Sequence, residues 1–192
     1  MAHHFFIERA PSASLIPGSF HAQASLEKKD SMTDSNALLE LQEVLDSHGL
    51  NAGLLFLNAR VPHRYTAVYQ LSEAYLRRLG FIDKEGGPGL AFAEVPFKDS
   101  FCELAVRQAP MVVTDVVTDP RLADYPNPGQ LVSYVGLPLS VRSGALYGTL
   151  CHYDTSPHPL TDAELSFLEQ ASGLLLRFCL RTGVSAHSLA TD

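Results

Sequence analysis

No run of basic residues appears in this 192-residue chain, whose formal net charge is −7. That excludes the usual nucleic-acid surface, where clustered Lys and Arg neutralise phosphates, and it disfavours an anionic membrane surface as well. Cysteine is scarce: Cys102, Cys151 and Cys179 are odd in number, widely spaced and form no C-x-x-C pair. A disulfide framework is therefore not expected, and a reducing cytoplasm is the expected compartment. Long apolar runs are missing too. The nearest approach, LLLRFCL from Leu174 to Leu180, is interrupted by Arg177 and falls short of the roughly 18 residues a membrane span requires. What is present is a globular composition, 46% hydrophobic and 18% charged, on a chain long enough for one domain with a real core.

Residues 1–34 show neither helical nor strand periodicity, and their Pro, Ser, Ala and His content reads as a disordered leader or a segment added for expression. Met32 offers an alternative start, and Glu8, Glu27 and Asp30 count against an organelle-targeting peptide. Order is expected from Ser35, where Leu38, Leu41, Val44 and Leu45 recur at helical spacing until Gly49. A second helical stretch runs to Pro62. Arg64–Leu71 and Ala74–Ile82 then read as strands of a hairpin, and LAFAEVPF as a third strand.

Ser100-x-x-Glu103 is a capping box and opens a short helix. MVVTDV offers a fourth strand. Asp119-Pro120 supplies the cap and first position of one helical turn. SYVGLPLSV and ALYGTLCHY form two more strands about the turn Arg142-Ser143-Gly144. Thr161-x-x-Glu164 is a second capping box, beginning a long helix to about Thr182, and residues 184–192 read as a flexible tail. This order predicts an α+β fold with an antiparallel sheet.

Cys151 and His152 are adjacent, as a nucleophile and its base or a pair of metal ligands would be. On a strand, however, successive side chains project to opposite faces. Ala145, Tyr147, Thr149, Cys151 and Tyr153 would share one face; Leu146, Gly148, Leu150 and His152 the other. The two groups then cannot act on one atom. His152, Asp154 and His158 have no recognised metal-ligand spacing. No catalytic or metal residue is assigned, and the sequence names no cofactor.

LVSYVGLPLSVRSGALYGTLCHYD resembles the C-terminal strand hairpin of GAF domains, which reads like GVPL…G…GTL. DSFCELAVRQAPMVVTDVVTDPRLADYP is similar to the segment that precedes it there. The resemblance covers residues 35–183. It implies a central antiparallel sheet, terminal helices on one face, and a small-molecule pocket on the other. The signature of cyclic-nucleotide-binding members, Asn-Lys…Phe-Asp-Glu, is missing. Bilin-binding members carry a Cys-His dipeptide on a helical or loop segment, whereas here it falls on a strand. Free methionine-(R)-sulfoxide reductases use several cysteines. Pro96 and Cys102 match their spacing, but Phe92 replaces one cysteine and another is missing near Ala123–Tyr125. A thiol–disulfide cycle needs an attacking and a resolving thiol, so no enzyme is expected.

The resemblance places Phe101 and Cys102, at the start of the short helix, beside a cavity, where free N–H groups would receive an anionic ligand. Asp115, Asp124 and Tyr125 would flank its roof, Tyr134 and His152 would stand on the hairpin, and Tyr69 on the first strand. These eight are the candidate ligand-binding residues, for a small organic molecule. On the last helix, Leu165, Leu168, Ser172, Leu175 and Cys179 form one stripe, and Phe167, Ala171, Leu174 and Phe178 a second. Two stripes suggest a homodimer through the first and last helices. The expected function is a non-catalytic sensor that relays occupancy to a signalling partner protein. The alternative is a ligand-free interaction scaffold or, less favoured, a reductase of the sulfoxide type.

Overall fold

The computed structural model describes residues 19–87, 92–98, 100–123 and 131–184. The chain divides into two units, Met1–Ser35 and Asn36–Asp192. Helix α1 spans Ser19–His48, starting well before the expected onset at Ser35. Between Ser19 and His48 there is no Pro or Gly, and over residues 19–34 Ala, Gln, Leu, Glu and Lys favour the helix without any apolar period. The expectation of a structureless leader is thus corrected for residues 19–34.

In the second unit, Gly49 at φ 83 divides α1 from α2 (Leu50–Arg60). A hairpin of β1 (Tyr65–Ser72) and β2 (Tyr75–Asp83) follows. Next come β3 (Glu94–Pro96), α3 (Phe101–Arg107) and β4 (Met111–Val113). A 3₁₀ turn at Pro120–Leu122 precedes β5 (Ser133–Ser140), β6 (Leu146–Asp154) and α4 (Asp162–Thr182). The N-cap bond of each expected capping box forms. Ser100 accepts from the Glu103 amide and Thr161 from the Glu164 amide, each at 3.2 Å.

The strands make one six-stranded sheet in the order β3-β2-β1-β6-β5-β4, with every pair antiparallel. Strand alternation gives each face its own core. Val68, Leu150, Val135, Leu137 and Leu139 meet Leu41, Leu45, Leu54, Leu57, Phe167, Leu168 and Leu175 of α1, α2 and α4. Burying each such side chain fully is worth about 1.5–3 kcal/mol. On the other face Tyr65, Ala67, Tyr69, Tyr134, Cys151 and Tyr153 pack with Phe101, Cys102, Leu104 and Ala105 of α3. The α+β architecture, with terminal helices on one face, is therefore as expected.

Two more expectations need correction. Tyr147 does not share a face with Cys151: it packs against the helix-side core and donates to the Val184 carbonyl at 3.1 Å. The cause is a register shift, Leu139 pairing Gly148 but Ser140 pairing Leu146, which skips Tyr147. The second correction concerns α4. Phe167, Ala171 and Phe178, the core of its second stripe, are consumed by the domain's own core. A helix crossing a broad sheet buries a wide face, so two stripes do not by themselves call for a partner.

Candidate ligand pocket

A cavity of about 190 Å³ lies between α3 and the sheet. Its position follows from sheet geometry. Register sets Tyr69 opposite Thr149, Ala67 opposite Cys151 and Tyr65 opposite Tyr153, and Gly136 opposite Cys151. These cross-strand neighbours project to the same side. Gly136 is small by necessity, because a Cβ there would sit 2.6 Å from the Ala105 Cβ of α3. The helix can therefore lie close to β5.

Four of the expected residues, Tyr69, Phe101, Cys102 and Tyr134, do line this cavity. The Phe101 and Tyr134 rings are 5.3 Å apart, and the Tyr69 hydroxyl donates to the Phe92 carbonyl at 3.1 Å. Burial pushes the Tyr69, Tyr134 and Tyr153 phenols above their ordinary range, so all three are neutral donors at physiological pH.

Sequence reasoning missed Cys151, Tyr153, Phe92, Val95 and Leu131, which also line the cavity. Cys151 and Tyr153 were detectable. They alternate in phase with Tyr134 across the hairpin, once the register is known. Among the described residues Glu94 is the one charged side chain of the lining, and α3 has only seven residues. An anionic ligand at the start of α3 is therefore a poor fit, because an apolar wall strengthens repulsion from a carboxylate and offers no counter-charge.

Cys102 and Cys151 come together here. Their sulfurs are 3.6 Å apart, and the Tyr134 hydroxyl lies 3.4 Å from one and 3.1 Å from the other. The Cys151 thiol also donates to Thr149 Oγ1 at 3.5 Å. A hydrogen bond from Cys151, with further ones from Thr149 and Tyr134, holds the Cys102 thiol down, to about 7. Burial, and then the Cys102 neighbour, push Cys151 up. The two share what is in effect one acidic proton.

Two candidates, Asp115 and His152, lie elsewhere, and His152 is on the wrong face. Asp124 and Tyr125 fall outside the described residues. Asp115 is not in the cavity. It lines a separate shallow depression with Thr118, Asp119 and Arg121, where its carboxylate accepts from the Val117 amide at 2.9 Å, an ordinary turn cap. His152 is fully buried on the helix side, opposite to Cys151, since one residue of strand reverses direction. There its Nδ1 pairs with Thr66 Oγ1 at 2.7 Å, and Asn58 Nδ2 donates to the same hydroxyl at 2.8 Å. His63 lies beside it, the rings 6.5 Å apart, and His158 beyond, 5.6 Å from His63. Among the described residues no group of three or more His, Cys, Asp or Glu side chains stands ready to hold a metal ion.

The GAF domain family matches residues 36–175. Over 93 residues the chain is 32% identical to a cyclic di-GMP phosphodiesterase of Pseudomonas aeruginosa, covering 46% of this chain but only 16% of that protein. The crystal structure of the GAF domain of a phosphoenolpyruvate-protein phosphotransferase from Acinetobacter superposes with a TM-score of 0.62 at 17% identity, over 83% of this chain and 96% of that one. The free methionine-R-sulfoxide reductase of Neisseria meningitidis, in complex with its substrate, gives 0.60 at 16% identity, over 85% and 94%. Such identities speak for the fold alone. Fold, sheet order and family match agree: this chain belongs to the GAF domain family.

Proposed function

We propose that this domain is a receptor for a small, mainly apolar organic molecule and does not turn it over. The single observation that carries the reading is the cavity under α3, walled by Tyr69, Phe101, Tyr134 and Tyr153 and holding only a few polar groups. Such a mix fixes the orientation of a ligand while apolar contact supplies affinity. The match to 16% of a cyclic di-GMP phosphodiesterase supports a module whose occupancy is read by other domains or partners. Relay through the terminal helices is the mechanism in keeping with the fold, since α1, α2 and α4 rest on the same sheet that forms the cavity floor.

Native mass spectrometry after gentle purification, followed by a thermal-shift screen of metabolites, tests this. A compound at one hundred times its Kd stabilises the folded state by about 2.7 kcal/mol. A retained or responding compound supports the receptor. An empty protein with no responder across the screen overturns it and leaves the scaffold, which Leu39 and Leu180, 70% and 51% exposed on α1 and α4, would favour. Free methionine sulfoxide with NADPH and thioredoxin is expected to give no turnover above background.

A further inference from the structure

From the paired sulfurs in the cavity wall, we infer that Cys102 and Cys151 form a reversible redox site, oxidised to an intramolecular disulfide by an apolar organic hydroperoxide. The inference stands apart from the identity of any cavity ligand. Four features carry it. The sulfurs are 3.6 Å apart, in contact but not bonded. They belong to different elements, α3 and β6, and a bond of about 2.05 Å requires the sulfurs to approach by about 1.5 Å. Both line the cavity, which gives a small oxidant access to groups that are otherwise buried. The Tyr134 hydroxyl also bridges the pair, donating to Cys102 Sγ at 3.4 Å and lying 3.1 Å from Cys151 Sγ. Hydrogen bonds from its neighbours lower the Cys102 thiol while burial raises that of Cys151, so Cys102 is the sulfur that gives up its proton first.

The chemistry balances with the peroxide as its only co-reactant. The Cys102 thiolate attacks the terminal peroxide oxygen. The O–O bond breaks, and the alkoxide takes a proton and leaves as an alcohol, with Cys102 now a sulfenic acid. The Cys151 sulfur then attacks the Cys102 sulfur. An S–S bond forms, the S–OH bond breaks, and hydroxide leaves as water with the Cys151 proton. Two thiols have lost two electrons and one peroxide has gained them. Because the wall is aromatic and aliphatic, a hydroperoxide carrying an apolar group is favoured over hydrogen peroxide. Cys179 provides the internal control. It sits in the opposite core, away from the cavity.

The test uses the reduced full chain with one equivalent of cumene hydroperoxide. Free thiols, titrated in denaturant, are expected to fall from three to one per chain. Peptide mapping should show Cys102 joined to Cys151 with Cys179 free, and dithiothreitol should restore all three. In Cys151→Ser, dimedone should trap a sulfenic acid on Cys102; in Cys102→Ser, Cys151 should not react; Cys179→Ser should behave as the parent. Circular dichroism confirms that each variant is folded. Cumene hydroperoxide should outpace hydrogen peroxide by more than about tenfold, the worth of burying two methylenes. Thiol loss through Cys179 or between chains, with Cys102 and Cys151 left free, overturns the site. Equal rates with both peroxides overturn the choice of oxidant.

Discussion

Two small residues control how closely the sheet is approached. At Gly136 a Cβ would meet both the Ala105 Cβ and the Tyr134 ring, each at 2.6 Å, and neither is the loose end of a flexible chain. Gly136→Ala is therefore expected to push α3 off β5 and to cost about 1–3 kcal/mol, the usual range for overpacking. Urea denaturation would read it as a lower midpoint at unchanged slope. At Gly148 an added Cβ would lie 1.9 Å from the Tyr69 carbonyl oxygen, so that position tolerates no side chain without parting β1 from β6. Both glycines are visible in the sequence. Neither announces its reason there, because Ala105 and the Tyr69 carbonyl belong to elements distant in the chain.

At the level of elements, α4 is held by its ends as well as its face. Thr161 accepts from the Glu164 amide at 3.2 Å, Glu164 pairs with Arg60 of α2 at 2.8 Å, and Arg181 pairs with Asp46 of α1. Thr161→Ala should cost about 1 kcal/mol, as loss of an N-cap acceptor usually does, and the denaturation midpoint would show it. Removing Arg181 should cost far less, since its side chain is 57% exposed and solvent screens surface pairs. Both capping boxes were legible as Ser100-x-x-Glu103 and Thr161-x-x-Glu164, because the signal needs only four consecutive residues. The skip at Tyr147 was not. A bulge depends on how the partner strand registers, and nothing local marks it.

For the molecule as a whole, the helix-side histidines make stability depend on pH. Burial holds both imidazoles neutral, lowering His63 to about 4 and His152 to about 3. His158 and Lys84 nearby add to the effect at His63, and Asp154 opposes it. Among the described residues, neither ring nitrogen of His63 finds a hydrogen-bond partner, nor does Nε2 of His152. Once unfolded, each binds a proton near its ordinary value of 6.5. Between there and the folded values the unfolded chain holds more protons, so stability rises with pH and is lost as pH falls below 6.5. The slope is about 1.4 kcal/mol per pH unit for each histidine. Denaturation midpoints should be level above about pH 7 with respect to these groups and decline steadily from about 6.5 towards about 4. A level profile down to about pH 5 would contradict their neutral burial.

The amino-acid sequence by itself determined the element order, the capped starts of α3 and α4, the opposed directions of Cys151 and His152, and the family. Each of these rests on local periodicity or on a few adjacent residues. Only the tertiary structure decided which face of the sheet was which, and so placed His152 with Asn58 and Thr66, Cys151 with Cys102, and Asp115 in a turn. Strand alternation has two phases, and choosing between them takes the register of chains far apart in sequence. The same cause made α4's second stripe look like a partner surface, when the width of its own sheet had already covered it.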